Sequence, residues 1–282
     1  MGQYKLIAFD GDGTLLNNKM KIPKVNIEAI KYAQDKGVVA ALCSGRSLAS
    51  LKVFAQEIGL GANDYIIGFN GGTIYRALEN EPFYKVMLPL ERSKYLIHEI
   101  NSVRNSDKTV KEETAFIIYN DVYSILVEET SARGKKAAES YQKAAMVSVE
   151  YAEDLAAALT DDVYKILLVG VKRSLAVIED YLLSLKMPDV DVMYSSEHLQ
   201  EIIHKDAQKG VAVKFLADKL NIPMSDVVAI GDQSNDLSML AAAGMGIAMA
   251  NGTEEARRIA NRITQKDNNE GGVAEAIYRF IQ

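Results

Sequence analysis

Short apolar segments alternate with amphipathic helical segments at both ends of the chain, and this alternation constrains the fold more than any other feature. Near the N-terminus, apolar runs at 6–9, 38–43 and 65–69 enclose helical patterns at 25–36 and 47–58. From residue 211 the order is helix 211–220, strand 227–230, helix 236–243, strand 246–249 and a helix capped by Thr253. Such repeats predict an α/β fold with a Rossmann-like parallel sheet and right-handed crossovers.

The middle of the chain lacks strict alternation. Apolar runs at 116–119 and 123–127 flank an Asn-Asp pair, which is typical of a hairpin. A helical stretch follows, then a strand at 163–171, a helix at 175–185 and a strand at 190–194. We therefore predict an inserted α+β domain at residues 85–195, between the two parts of the core at 1–84 and 196–282.

Composition excludes several classes of protein. A chain of 282 residues with 48% hydrophobic residues can bury a sizeable core, and its net charge of −6 argues against binding to nucleic acid or to an anionic membrane. One cysteine allows no internal disulfide, and the chain shows neither a secretion signal nor an apolar run of about 18 residues. We expect a cytoplasmic protein, either a monomer or a small homo-oligomer, with a small-molecule partner.

Two aspartates, Asp10 and Asp12, follow the first strand within the sequence Asp-Gly-Asp-Gly-Thr. Ligands bind at the carboxyl ends of strands in open α/β sheets. Two carboxylates about 4 Å apart repel by on the order of 4 kcal/mol at an effective dielectric constant of about 20, which a cation or a shared proton would relieve. The alternative is a surface turn, since Asp and Gly are common turn residues. The segment fits neither a dinucleotide fingerprint nor a calcium loop.

Other strand ends carry polar groups of the same kind. Ser44 follows the second strand and precedes a helix whose N-terminus offers free N–H groups to an anion, although Ser44 would also suit a simple helix cap. Asp232 and Asp236 follow the strand at 227–230 and would suit an oxygen-loving cation such as Mg²⁺. Asn235 lies between them and would bridge metal, phosphate or the loop of the nucleophile. The alternative is a turn that caps the next helix, with either Asn235 or Asp236 as the cap.

Lys209 opens the helix before that strand, where a cation opposes the helix macrodipole. This conflict suggests that Lys209 neutralises a carboxylate or a phosphate. The alternative is an ordinary solvent-exposed lysine, which is the commoner case. Together these strand ends place four acids, a hydroxyl and an amine at one sheet. That set of groups suits phosphoryl transfer with a carboxylate as covalent nucleophile.

These residues resemble four motifs of the haloacid dehalogenase-like superfamily, and most closely its Cof-type phosphatases of subclass IIB. The motifs, in order, are the Asp-Gly-Asp-Gly-Thr segment at 10–14, Ser44-Gly45-Arg46, Lys209-Gly210, and the segment at 231–236. An Asn-Gly-Gly turn at 70–72, the segment 243–251 and the closing segment 269–273, with changed spacing, also resemble this family. The resemblance implies a HAD-like core with an inserted cap that selects the substrate.

The resemblance also implies roles. Asp10 would be the nucleophile, and Asp12 would protonate the leaving alcohol and then activate water. Mg²⁺ would bind Asp10, the backbone carbonyl of Asp12 and Asp232, with help from Asn235 or Asp236. The phosphate would be held by Ser44, Gly45, Arg46, Lys209 and Asn235. Arg46 and the basic run Arg133, Lys135 and Lys136 would meet anionic parts of the substrate, although that run equally suits a solvated helix start.

The expected function is Mg²⁺-dependent hydrolysis of small phosphomonoesters, such as sugar phosphates or phosphorylated cofactors. One alternative is a sugar phosphomutase or phosphotransferase of the same fold, which would retain phosphate on its product. A second is a sugar-phosphate sensor without turnover, but a pure binder gains nothing from a nucleophile with a paired acid. A third is a phospho-acceptor signalling domain, which would leave the long insertion unexplained.

Overall fold

A computed structural model describes residues 4–281 of the chain. Its strands, in chain order, are β1 (Leu6–Asp10), β2 (Val39–Cys43), β3 (Tyr65–Gly68), β4 (Thr73–Arg76), β5 (Tyr84–Lys85), β6 (Thr114–Tyr119), β7 (Ser124–Glu128), β8 (Ser148–Ala152), β9 (Lys165–Gly170), β10 (Val190–Ser196), β11 (Leu199–His204), β12 (Val227–Gly231), β13 (Met245–Ala248) and β14 (Arg262–Ile263). Its helices are α1 (Lys24–Asp35), α2 (Leu48–Glu57), α3 (Leu90–Ser106), α4 (Lys108–Glu113), α5 (Ala132–Ala145), α6 (Leu155–Ala158), α7 (Lys172–Ser184), α8 (Lys209–Lys219), α9 (Leu237–Ala242), α10 (Glu254–Ile259) and α11 (Gly272–Phe280). Each strand and helix predicted for the two ends of the chain is present, with ends that shift by at most two residues.

These residues form two compact units. The first unit consists of the chain up to Arg46, Leu51–Lys85 and the chain from Ala207 onward. The second unit consists of Val86–Asp206 together with Ser47–Ser50 at the start of α2.

An eight-stranded sheet runs through the first unit in the order β14-β13-β12-β1-β2-β3-β4-β5. Its strands from β14 to β3 are parallel, so the predicted α/β fold with a parallel sheet is confirmed. The central strands β1 and β12 are buried along their whole length, as expected of strands covered on both faces. Their side chains pack with those of α8 and α9 in one apolar cluster.

Two antiparallel strands, β4 and β5, extend this sheet beyond β3 and were not predicted from the sequence. The chain reverses direction between β3 and β4 through a turn in which Asn70 and Gly71 have φ of 58° and 107°. Asparagine and glycine adopt this left-handed region more readily than other residues. The Asn-Gly-Gly turn noted in the sequence therefore connects the two strands of a β-hairpin, β3 and β4.

A six-stranded sheet with the order β10-β11-β9-β6-β7-β8 forms the second unit. Its pairs are antiparallel except for β7 with β8, and the predicted hairpin is confirmed as β6 and β7. Helices α3 and α7 cover one face of the sheet over a second apolar cluster. Because β11 pairs with both β9 and β10, the second unit runs to Asp206, beyond the predicted end at residue 195. None of the helices in residues 4–281 combines the length and hydropathy needed to cross a membrane.

Candidate active site

The carboxyl ends of three adjacent parallel strands bring the predicted polar residues to one edge of the first unit's sheet. Asp10 is the last residue of β1, Ser44 follows β2, and Asp232 follows β12. Since β12, β1 and β2 are neighbours, these side chains lie side by side. Asp10, Ser44 and Asp232 are all buried.

Lys209 projects into this edge from the first turn of α8 and is fully buried. Its ammonium donates hydrogen bonds of 2.5 Å to Asp10 Oδ1 and 2.6 Å to Asp236 Oδ1. These two carboxylates therefore offset the unfavourable interaction of the Lys209 charge with the dipole of α8. Such charge-assisted hydrogen bonds are the strong ones in proteins.

Asp236 holds its own loop as well as Lys209. Its Oδ2 accepts hydrogen bonds from the backbone N–H groups of Asp232 and Gln233, at 2.8 and 3.0 Å. The carboxylate packs so closely against Gly231 that a Cβ there would lie 2.5 Å from its Cγ. Asp236 is the residue before α9 but makes no side-chain cap hydrogen bond to that helix. Its carboxylate instead binds the preceding loop and faces the other acids.

Asp232 is held from the opposite side by the loop that follows β1. The Thr14 hydroxyl, itself buried, donates to Asp232 Oδ1 at 2.7 Å. Gly13 has a φ of +78°, and a Cβ there would lie 2.4 Å from Asp232 Oδ2. No role for Thr14 was predicted from the sequence, where the signal for it is a hydroxyl directly after Gly13.

We call the buried carboxylates of Asp10, Asp232 and Asp236 the acidic cluster; these three acids outnumber the one ammonium beside them, that of Lys209. Burial raises the pKa of Asp10 well above its ordinary value, against the opposing effect of Lys209. Burial, with the charge of Asp236, raises the pKa of Asp232 to about 6. Burial alone would lower the pKa of Lys209, but Asp10 and Asp236 outweigh it and raise that pKa above its ordinary value. The cluster thus has an affinity for further positive charge.

A divalent cation fits this donor set. One oxygen from each member of the acidic cluster lies within 4.8 Å of the others. Carboxylate oxygens are the ligands that Mg²⁺ prefers. The two oxygens of Asp236 already accept hydrogen bonds, so Asp10 and Asp232 are the better placed to bind metal.

Asp12 lies outside the acidic cluster. Both of its carboxylate oxygens accept hydrogen bonds of 2.7 Å from the guanidinium of Arg46, and the side chain is 48% exposed. A metal ligand at Asp12 would therefore be its backbone carbonyl rather than its carboxylate. The pair joins the first and second predicted motifs, since Arg46 follows Ser44 at the end of β2.

Asn70 contacts the remaining predicted site residues, Ser44, Gly45 and Asn235. From the sequence, Asn70 was noted only as part of a turn. Its backbone N–H donates to the Ser44 carbonyl at 3.0 Å, and its Oδ1 accepts from Asn235 Nδ2, also at 3.0 Å. A Cβ on Gly45 would come within 2.8 Å of Asn70 Oδ1. Ser44, Gly45 and Asn235 therefore all lie against Asn70, the first at its backbone and the other two at its side chain.

The basic run in the second unit is the start of a helix. Ser131 caps α5 by accepting from the backbone N–H of Gly134 at 3.0 Å, and the side chains of Arg133, Lys135 and Lys136 are exposed. Within the second unit, the basic run is therefore the solvated start of a helix.

Comparisons with known proteins agree with this geometry. A family model described as haloacid dehalogenase-like hydrolase matches residues 7–277. The Bacillus subtilis phosphatase YwpJ is 31% identical over 289 residues, covering 98% of this chain and 100% of that protein. The 5-amino-6-(5-phospho-D-ribitylamino)uracil phosphatase YitU, also from Bacillus subtilis, is 29% identical over 98% of this chain and 97% of its own length.

Among solved structures, a haloacid dehalogenase-like hydrolase from Bacteroides thetaiotaomicron superimposes with a TM-score of 0.83 at 29% identity, covering 98% of this chain and 99% of that one. The predicted fold and the predicted enzyme class, a hydrolase of this superfamily, are confirmed. The chain belongs to the haloacid dehalogenase-like hydrolases.

Proposed function

We propose that the chain is a Mg²⁺-dependent phosphatase that hydrolyses small phosphomonoesters, either sugar phosphates or phosphorylated cofactors, through an aspartyl-phosphate on Asp10. The observation that carries this proposal is the acidic cluster, in which Asp10 and Asp236 contact the ammonium of Lys209 and Asp232 supplies a third buried carboxylate. A site of this charge attracts a divalent cation and, with it, a phosphate group. The name of YitU, a phosphatase of the small molecule 5-amino-6-(5-phospho-D-ribitylamino)uracil, supports the same substrate class.

Asp10 is the nucleophile in this proposal. Lys209 fixes Asp10 Oδ1, which orients the carboxylate at the end of β1. A carboxylate oxygen attacks phosphorus, the bond from phosphorus to the alcohol oxygen breaks, and Asp12 gives a proton to that oxygen. Water then attacks the phosphorus of the aspartyl-phosphate and loses its proton to Asp12, which releases inorganic phosphate and restores Asp10.

The pair between Asp12 and Arg46 adds a condition to this sequence of steps. Both oxygens of Asp12 are occupied by the guanidinium, so the pair must open before Asp12 reaches the leaving oxygen. An anionic substrate competes with Asp12 for Arg46, because a guanidinium binds phosphate and carboxylate oxygens with the same fork geometry. Substrate binding would in this way free the Asp12 carboxylate, which takes up a proton from solvent and then donates it to the leaving oxygen.

The metal would be held by Asp10, Asp232 and the backbone carbonyl of Asp12, while Asp236 orients Lys209 and the loop of Asp232. When bound, Mg²⁺ neutralises charge on the phosphate oxygens and orients the phosphoryl group for in-line attack. Lys209 and Ser44 donate hydrogen bonds to the remaining phosphate oxygens, and Asn235 assists them through its amide. The second unit would act as the cap that selects the substrate.

The test is phosphate release from a panel of phosphomonoesters by the wild-type protein, with Mg²⁺ and with EDTA, beside Asp10→Asn. We expect release that requires Mg²⁺ and that Asp10→Asn abolishes. A matched control is Asp64→Asn, which changes another buried aspartate of the first unit that binds the backbone N–H of Ala40 and lies outside the site. This control should keep its turnover.

Release that survives in EDTA or in Asp10→Asn would contradict the proposal. Transfer of phosphate to another position on the product, without free phosphate, would identify a mutase or transferase. A rise in the melting temperature with sugar phosphates, without any turnover, would identify a sensor.

A further inference from the structure

Three backbone carbonyls of the loop that follows β1 accept hydrogen bonds from side chains outside the loop. Inside the loop, the N–H groups of Leu15 and Leu16 donate to the carbonyls of Asp10 and Gly11. Three asparagine side chains donate to later carbonyls of the loop. The pairs are Asn251 with Gly13 at 2.8 Å, Asn26 with Leu15 at 3.3 Å, and Asn268 with Leu16 at 2.9 Å.

The closing part of the chain anchors these asparagines. The backbone N–H of Asn268 donates to Asn251 Oδ1 at 3.1 Å, and that of Ala274 donates to Asn26 Oδ1 at the same distance. Asn26 and Asn268 are buried. The closing segment therefore supports the loop directly, through the amide of Asn268, and indirectly, through its hydrogen bonds to the carbonyl ends of Asn26 and Asn251.

The neighbours of Asn251 hold Asp232 at the same time. The backbone N–H of Thr253 donates to the Asp232 carbonyl at 2.8 Å, and a Cβ on Gly252 would lie 3.3 Å from that oxygen. Residues 251–253 therefore bind the backbone of both the Gly13 loop and Asp232. These are also the two segments joined by the hydrogen bond from Thr14 to Asp232.

We propose that Asn251, held by Asn268, is a positioning residue that fixes the loop after Asp10 at its distance from the Asp232 carboxylate. It touches neither substrate nor metal and acts through Gly13 and Thr14. Groups that orient the ligands of a metal in this way commonly change metal affinity by about tenfold or more when they are removed. The inference rests on the proposed function in one respect, namely that Asp10 and Asp232 bind Mg²⁺.

The experiment compares Asn251→Ala with Asn261→Ala. Asn261 is the matched control, because its Oδ1 accepts from the backbone N–H of Gly246 at 2.7 Å in the same unit and its contacts do not include the loop. Two quantities are measured for each variant, namely the dissociation constant of Mg²⁺ alone by calorimetry and the Mg²⁺ concentration for half-maximal turnover. Melting temperatures report the general loss of stability.

We expect Asn251→Ala to weaken both Mg²⁺ quantities about tenfold and to lower kcat, with KM for the phosphomonoester unchanged. Asn261→Ala should lower the melting temperature by a similar amount and leave both Mg²⁺ quantities at wild-type values. Equal Mg²⁺ affinity in Asn251→Ala and wild type, or an equal loss in both variants, would overturn the inference. If the wild type binds Mg²⁺ but hydrolyses nothing, the proposed function fails while calorimetry still decides the role of Asn251, and if it binds no Mg²⁺ both fail.

Discussion

The two units bury charge in different ways. In the second unit, Lys165 pairs with Glu201 at 2.8 Å, and the buried Arg104 pairs with Glu128 at 2.9 Å, so each cation has a carboxylate. In the first unit, Lys209 meets both Asp10 and Asp236, and Asp232 stands beside them. The second unit balances its buried charges, whereas the first holds a surplus of carboxylates.

This difference separates a structural site from a reactive one. A buried ion pair loses solvation, but opposite charges in contact recover much of that loss. Carboxylates gathered without enough cations recover less of it, and the raised pKa values of Asp10 and Asp232 are the result. Strongly perturbed carboxyl groups of this kind cluster at functional sites. In the proposed function, this surplus of carboxylates in the first unit is where the metal and the phosphate bind.

Removing the cation of the first unit should have the largest effect. Lys209→Met takes away the donor that holds Asp10 and, in the proposed mechanism, a phosphate oxygen. We expect kcat to fall by on the order of 10²- to 10³-fold, the loss usual for one preorganised donor. Phosphate release at saturating substrate and Mg²⁺ measures it, with near-ultraviolet circular dichroism to verify the fold. A fall of less than about tenfold would show that Lys209 does not act on the reacting groups.

Removing the cation of the second unit should affect stability instead. Lys165→Met leaves Glu201 buried opposite an apolar group, and we expect a loss of about 3–5 kcal/mol in the free energy of unfolding. The double variant Lys165→Met/Glu201→Leu should recover most of that loss, because an apolar pair can replace a buried ion pair. Urea unfolding measures both. A double variant as unstable as the single one would contradict the idea of a balanced pair.

Two glycines with the same backbone conformation sharpen the comparison further. Gly13 and Gly37 have φ of +78° and +79°, but a Cβ on Gly13 would strike Asp232, whereas a Cβ on Gly37 has nothing within 4 Å. Both Gly13→Ala and Gly37→Ala should lose about 1–2 kcal/mol of stability from the left-handed backbone. Only Gly13→Ala should also lose turnover and Mg²⁺ binding. Equal activity in the two variants would show that the spacing between Gly13 and Asp232 is not critical.

The smallest expected effect is a dependence of metal binding on pH. The pKa of Asp232 is about 6 in the folded protein and about 4 when unfolded, so folding favours the protonated acid. Without Mg²⁺, this group therefore stabilises the fold fully below about pH 4 and progressively less as the pH rises to about 6. Mg²⁺ needs the ionised form, so its effect on the melting temperature should be larger at pH 7.5 than at pH 5. Asp232→Asn should remove this difference, and a shift independent of pH would contradict it.

The strand ends were the part of the site that the sequence could predict. A buried parallel strand is a short apolar run, and the residue after it must lie at the ligand-binding edge, which placed Asp10, Ser44 and Asp232 together. Lys209 was identified because a lysine is unusual at the start of a helix. Each of these inferences needs only local sequence and the geometry of a parallel sheet.

The contacts between side chains from distant segments could not be predicted in this way. Strand β11 was missed because the polar residues Gln200 and Glu201 interrupt its apolar pattern, and both are buried among partners far along the chain. The exposed pair between Asp12 and Arg46 and the hydrogen bonds of Asn251 depend equally on tertiary placement. Hydrophobic periodicity and secondary-structure propensity carry no information about which distant side chains will be in contact.

The most direct test of the central claim is a calorimetric titration of Mg²⁺ into three proteins at pH 7.5. We predict one ion per chain for the wild type, the same for Lys165→Met/Glu201→Leu, and no binding for Asp10→Asn/Asp232→Asn. The surplus of carboxylates in the first unit would then be the metal site. Binding that survives in Asp10→Asn/Asp232→Asn, or that is absent from the wild type, would contradict the account.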